Sequence, residues 1–241
     1  MKLPKVELPV FDLIIPSTGR EIKARPFKVK EEKLLLMAVE SNDVNDIIKT
    51  TKQVLNNCII SDRFDIEKLP FFDVDFLFIA LRAKSVSENI DLEFTCNAVH
   101  DEKKCGHVFE GSLDLTKARI VQDEKIKNVV DLGNNFAIKM KYPTYDVMKA
   151  LKDDETVIDR KIKVIAACID TVQKGEEIFT RKDFTHKEII DFIEELSEAQ
   201  YMKLEEFIDN FPYFVVDIDI ECPKCKTKHR KEYRDFSSFF R

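Results

Sequence analysis

Phe214-Val215-Val216-Asp217-Ile218-Asp219-Ile220-Glu221-Cys222 closes the second half of the chain, and Ile90-Asp91-Leu92-Glu93-Phe94-Thr95-Cys96 stands at the matching place in the first. The longer stretch alternates Phe214, Val216, Ile218 and Ile220 with more polar residues, the period of a half-buried strand. Each stretch runs into a pair of cysteines. Upstream, Val54-Leu55-Asn56-Asn57-Cys58-Ile59 returns as Val164-Ile165-Ala166-Ala167-Cys168-Ile169, and Ile22-Lys23-Ala24-Arg25-Pro26 returns as Ile138-Lys139-Met140-Lys141-Tyr142-Pro143. Ile66-Glu67-Lys68-Leu69 likewise matches Ile193-Glu194-Glu195-Leu196. Matches in the same order argue for a duplicated unit. The expected fold is therefore α+β, with two related helical lobes from an internal duplication, each ending in a strand hairpin, joined in a zinc-ribbon-like site. The first copy covers 1–119, a charged connection 120–133, and the second copy 134–241.

Within the first copy, Phe11 to Ile15 and Arg20 to Arg25 flank Pro16-Ser17-Thr18-Gly19, which predicts a hairpin. Helices are expected from Val29 to Glu40, with Leu34, Leu35 and Ala38 inward and the charges of Glu31 and Glu32 outward in the first turn, and from Val44 to Ile59. A short helical turn over Asp65 to Leu69 and an apolar helix over Asp73 to Ala83 precede a strand over Glu88 to Thr95. In the second copy Phe136 to Lys141 reads as extended. Tyr145 to Leu151, Ile158 to Val172, Lys187 to Leu196 and Glu198 to Ile208 read as helical, and Tyr213 to Glu221 as a strand.

The 241 residues are enough for a real core, and the formal net charge of −6 opposes a general attraction to nucleic acid or anionic lipid. No apolar run approaches the roughly 20 residues of a membrane span, and Met1-Lys2-Leu3-Pro4 opens no signal-peptide core, so a soluble, intracellular product is expected. Five glycines leave little material for phosphate loops, and no nucleophile elbow or metal-hydrolase helix occurs. Carboxylate pairs such as Asp153 with Asp154 or Glu194 with Glu195 read as solvated faces. No enzymatic role is expected.

Four of the six cysteines carry the sharpest local signal. Cys222-Pro223-Lys224-Cys225 has the two-residue gap that lets two thiolates reach one zinc from a tight turn. Cys96 and Cys105 are separated by eight residues, a looser spacing, but they sit at the equivalent strand end. Together Cys96, Cys105, Cys222 and Cys225 form a candidate four-cysteine site for a structural Zn2+, closed to substrate. The alternative reading leaves Cys96 and Cys105 as ordinary thiols and Cys222 with Cys225 as a redox-sensitive pair. His100, His107 and His229 are near enough in sequence to replace a thiolate, but read as solvated loop histidines. Cys58 and Cys168 lie on apolar helix faces and read as core.

The stretch Lys224, Lys226, Lys228, Arg230, Lys231 and Arg234, interleaved with Tyr233 and Phe236, is the one candidate for phosphate contacts. In a chain of net negative charge the wet face of a return strand accounts for it better, so nucleic acid is not an expected partner. Phe236, Phe239 and Phe240 at the end of the chain either fold back on the core or enter a partner.

Leu13-Ile14-Ile15-Pro16-Ser17-Thr18-Gly19-Arg20-Glu21-Ile22-Lys23 followed by Arg25-Pro26-Phe27-Lys28-Val29-Lys30-Glu31-Glu32-Lys33-Leu34-Leu35-Leu36-Met37-Ala38 resembles the opening of the T4-type bacteriophage baseplate hub and hub-assembly protein family. The resemblance implies a role in virion morphogenesis, as a hub component or hub-assembly factor acting through contacts with other phage tail proteins. It places the protein in the host cytoplasm during assembly, with the baseplate of the virion as a further location. It carries over no catalytic or binding residue. The competing class is a zinc-ribbon nucleic-acid-binding regulator.

Overall fold

The computed structural model describes residues 6–151, 155–234 and 239. Among them, mixed α-helix and β-strand alternate along the chain, and the strands form several small antiparallel sheets. Strands β1 (Phe11–Ile15) and β2 (Arg20–Ala24) pair across the Pro16–Gly19 turn. Helices α1 (Val29–Glu40), α2 (Val44–Cys58) and α3 (Phe71–Ser85) follow, with a short 3₁₀ turn at Ile66–Lys68 before α3. Next come β3 (Asn89–Thr95), β4 (Val99–His100), β5 (Lys103–Lys104), β6 (Val108–Asp114) and β7 (Arg119–Val121). The second half contains β8 (Val129–Gly133), β9 (Phe136–Met140), α4 (Tyr145–Lys149), α5 (Val157–Cys168), β10 (Ile169–Lys174) and β11 (Glu177–Thr180). It ends with α6 (His186–Glu194), α7 (Glu198–Asp209), β12 (Tyr213–Glu221) and β13 (Lys228–Tyr233).

Local chemistry accounts for several boundaries. Helix α1 begins where Pro26 has ended the hairpin strand. Glu31 reaches back to accept the Lys28 N–H at 2.8 Å and the Arg25 guanidinium at 3.1 Å, and it is fully buried. This differs from the expected exposed charged face, because the carboxylate closes the helix start from inside. Leu35 and Ala38 face the core as expected, whereas Leu34 is exposed. Asp43, Thr156 and Thr185 cap α2, α5 and α6 through side-chain oxygens that accept first-turn N–H groups.

Helix α5 stops at Cys168 instead of continuing to Val172. Ile169 turns extended, and Ile169, Thr171 and Val172 pair with β9. β-branched residues fit that ladder, and an apolar run alone does not separate helix from buried strand. Ile59 turns extended after α2 in the same way and bridges Ala24 of β2. The Arg25 N–H donates to the Cys58 carbonyl at 2.9 Å, and the Lys141 N–H donates to the Cys168 carbonyl at 2.7 Å. Each half therefore ties the end of a helix to the strand leaving its hairpin by the same bond.

The chain divides into two compact units that do not follow the expected split at 119 and 133. The first holds Met1–Ile66, Phe72–Val121 and Tyr213–Arg241, and the second Glu67–Phe71 and Gln122–Pro212. Strand β12 belongs to the first unit because it pairs with β7 (Tyr213 with Val121, Phe214 with Ile120) and with β13. The segment expected as a connection supplies the end of β7 and all of β8. In the second unit β11, β10, β9 and β8 form a sheet in that order, whose core joins Ile138, Met140 and Val172 to Ile165, Ile189, Ile193, Leu204 and Phe207. No described helix is long and apolar enough to cross a membrane. Of the terminal phenylalanines, Phe239 is buried, with ring centroids 6.2 Å from Phe214 and 6.0 Å from Tyr233. Phe236 and Phe240, like Asp153, Asp154 and Met1-Lys2-Leu3-Pro4, lie outside the described residues.

Candidate metal centre

Two cysteine turns meet at one end of the first unit. Strands β3 and β6 form one hairpin and β12 and β13 the other, and each carries its cysteines where the ladder ends. The Cys96 N–H donates to the His107 carbonyl at 2.8 Å, and the Gly106 N–H donates back to the Cys96 carbonyl at 3.0 Å. In the second turn the Cys222 N–H donates to the Thr227 carbonyl and the Lys226 N–H to the Cys222 carbonyl, each at 2.9 Å. Gly106 and Lys226 both adopt positive φ, +59° and +61°. The two turns therefore share one hydrogen-bond scheme despite unequal length.

The extra length is a small excursion. Strands β4 and β5 pair Val99 with Lys104 and His100 with Lys103, and the Cys105 N–H closes their base by donating to the Ala98 carbonyl at 2.8 Å. With Val99–Lys104 set aside, Cys96-Asn97-Ala98 joins Cys105-Gly106-His107 and reads against Cys222-Pro223-Lys224-Cys225-Lys226-Thr227. The loose spacing is thus a two-residue gap interrupted by a finger, and that alignment was the signal available in the sequence.

The four sulfurs all lie within 4.8 Å of one another, with Cys96 Sγ 3.5 Å from Cys225 Sγ and Cys105 Sγ 3.9 Å from Cys222 Sγ. A tetrahedral zinc with bonds of about 2.3 Å holds its sulfurs about 3.8 Å apart. These distances are far beyond a disulfide bond, and all four cysteines are free. Cys96 and Cys222 are buried, and Cys105 and Cys225 are half-buried. Burial pushes the Cys96 thiol up to about 12, while hydrogen bonds from the Thr227 hydroxyl and backbone N–H draw Cys225 down to about 5. A cation binding all four sulfurs would replace the protons that such a crowded set must otherwise share.

Gly111 in β6 lies where the two hairpins pack together. A Cβ there would lie 2.8 Å from the Phe94 ring of its own hairpin and 3.1 Å from Ile220 of the other, so a side chain would make these packed neighbours shift. Nothing in the sequence singles out this glycine, since its neighbour from the other hairpin, Ile220, lies more than a hundred residues away. His229, expected as a solvated histidine, has its Nε2 3.2 Å from Cys96 Sγ. His100 Nε2 sits 3.4 Å from Thr227 Oγ1, and His107 stacks near Phe109. Cys58 and Cys168 are fully buried away from the cluster, and burial raises their thiols to about 11 and about 12.

The expected junction between lobes takes a different form, since all four cysteines fall in the first unit. The basic stretch is partly neutralised. Asp217 accepts from Arg119 at 2.6 Å and also pairs with Arg230, Arg234 pairs with Glu232 at 2.9 Å, and the Lys231 ammonium lies 4.8 Å from the Phe94 ring centre. Lys224, Lys226 and Lys228 are exposed.

No solved structure matches the chain. Among curated proteins it is similar to the baseplate hub assembly protein gp26 of Enterobacteria phage T4, at 23% identity over 231 residues, which spans 95% of this chain and 96% of that protein. The family model described as T4 bacteriophage base plate protein matches residues 8–241, well beyond the N-terminal stretch that carried the resemblance, and the chain belongs to that family.

Proposed function

We propose that the protein works in building the baseplate hub of a tailed phage, as a hub component or a hub-assembly factor, by binding other tail proteins and not by catalysis. The observation that carries this reading is the similarity, across nearly the whole of both chains, to a protein described as a baseplate hub assembly protein. Its places of action would be the host cytoplasm during assembly and, where it is retained, the virion baseplate.

In this reading a structural zinc, held by Cys96, Cys105, Cys222 and Cys225, pins the two cysteine hairpins together. The sulfur spacing and the matched hydrogen bonds of the two turns support it. A closed four-sulfur site has no open position for water or substrate, so it stabilises without reacting. The same matched bonds, with the paired Arg25–Cys58 and Lys141–Cys168 contacts, support an internal duplication. The chain would then be a duplicated adaptor whose diverged copies present different surfaces.

Affinity capture from infected cells, with mass spectrometry of the bound proteins, tests the hub reading. Retention of other baseplate hub proteins after nuclease treatment is expected. Binding limited to salt-sensitive nucleic acid, lost when Lys226, Lys228 and Arg230 are neutralised, would replace it with the regulator reading. Immunoblots of purified virions against the assembly lysate decide the location.

A further inference from the structure

Strand β11 is an outer strand of the second unit's sheet, and its four residues are all exposed, with Ile178 62% and Phe179 41% accessible. It follows a tight turn at Gly175, φ +61°, in which Lys174 pairs with Glu177. Antiparallel pairing alternates, so Glu177 and Phe179 direct their backbone groups to β10 while Ile178 and Thr180 direct theirs outward. Asp183 already occupies Thr180: its carboxylate accepts the Thr180 N–H at 2.7 Å, and its own N–H donates to the Thr180 carbonyl at 2.9 Å. The outward N–H and C=O of Ile178 are left at the strand's centre.

The charges around this strand are ordered. Glu176-Glu177 precedes Ile178-Phe179-Thr180, and Arg181-Lys182 follows. Glu176, Glu177 and Lys182 are exposed and make no ion pair among the described residues, while the half-buried Arg181 holds its guanidinium 5.4 Å from the Phe184 ring centre, its Nη1 buried without a hydrogen-bond acceptor. An acidic start, an apolar middle and a basic end make the segment complementary to itself when a second copy runs antiparallel. A sheet edge with apolar side chains and no guarding lysine within the strand is a template for such pairing. Beside it, an apolar cleft of about 310 Å³ is lined by Phe136, Phe179, Phe184 and Phe192.

We propose that β11 is a self-association edge: two copies of this chain pair antiparallel about a two-fold axis at Ile178, joining their sheets into one. Each Ile178 donates its N–H to the Ile178 carbonyl of the other copy. The Glu176-Glu177 turn of each lies beside Arg181-Lys182 of the other, and Phe179 of the second copy covers the rim of the aromatic cleft. Capping of Thr180 by Asp183 sets this register, because it removes the next outward pair from competition. The short strand implies a weak, concentration-dependent dimer.

Sedimentation velocity of the full chain over a concentration series tests this. The wild type is expected to pass from monomer to dimer with a midpoint on the order of 100 µM. Glu176→Lys with Glu177→Lys, and separately Arg181→Glu with Lys182→Glu, should each weaken dimerisation at least about tenfold, and an equimolar mixture of the two should pair again. Ile178→Pro removes the bridging N–H at an outward-facing position and should also give monomer. Circular dichroism of every variant establishes that it is folded. A wild type that stays monomeric, or folded charge-reversed variants that dimerise as well as it does, overturns the proposal.

Discussion

Gly106 and Lys226 occupy the same place in the two cysteine turns, each following the second cysteine with a left-handed backbone, φ +59° and +61°. Only one of them is the residue type that adopts this conformation freely. Lys226→Gly should relieve a penalty of roughly 1–2 kcal/mol, less the entropy glycine adds to the unfolded chain, for a net gain of up to about 1 kcal/mol. Gly106→Ala meets no steric obstacle, since nothing lies within 4 Å of the new Cβ, so its loss of about 1 kcal/mol would be conformational alone. Thermal melts of both variants check the opposite signs.

Deleting Val99–Lys104 should leave metal binding intact, because Ala98 and Cys105 are already joined at 2.8 Å at the base of that finger. Elemental mass spectrometry is expected to find about one zinc per chain in the wild type and in the deletion, and none in Cys222→Ser. Loss of zinc in Cys222→Ser should also lower the melting temperature. Wild-type protein purified reduced, without chelator and without metal, would sink the zinc assignment.

Gly111→Ala places a methyl group 2.8 Å from the Phe94 ring, where both hairpins are packed. Overpacking of this kind costs roughly 1–3 kcal/mol. Destabilisation by chemical denaturation, together with weaker zinc retention against a chelator, is expected, whereas Gly19→Ala should leave zinc retention unchanged.

Glu31→Ala removes a fully buried carboxylate that holds Arg25 at 3.1 Å and the Lys28 N–H at 2.8 Å. The Arg25 side chain is 17% accessible, so it would be left largely desolvated without its anion. A loss of about 3 kcal/mol is expected by urea titration.

Asp217 is held below the usual carboxylate range, first by its hydrogen bond from Arg119 and then by Arg230. A folded-state pKa below the unfolded one means the contribution is present above about pH 4 and is lost as pH falls through the folded value. The gap in melting temperature between wild type and Asp217→Asn should therefore be widest near neutrality and close on acidification. A gap that widens toward low pH would show the opposite linkage.

The limits of reading along the chain are clearest where one segment meets distant ones. Helix α1 and strand β12 matched their expected bounds, and the hairpin turn at Pro16–Gly19 was legible from its residue types. β10 was not, since Ile169 extends the apolar run of α5 and Ile169–Lys174 becomes strand only by pairing with β9. The candidate site was half legible: Cys222 and Cys225 announce a turn by spacing, whereas Cys96 and Cys105 are equivalent to them only once the β4–β5 finger has folded out.

By itself the sequence determined the periodic elements, the cysteine types and the likeness to a baseplate family. These depend on residue spacing and on hydrogen bonds a few positions apart. Tertiary structure alone decided that β12 pairs with β7, that four sulfurs lie within 4.8 Å, that a side chain at Gly111 would crowd Phe94 and Ile220, and that Arg230 pairs with Asp217. Each of these is a packing relation between residues far apart in the chain, set by which surfaces can approach closely and bury together, and no local pattern encodes it.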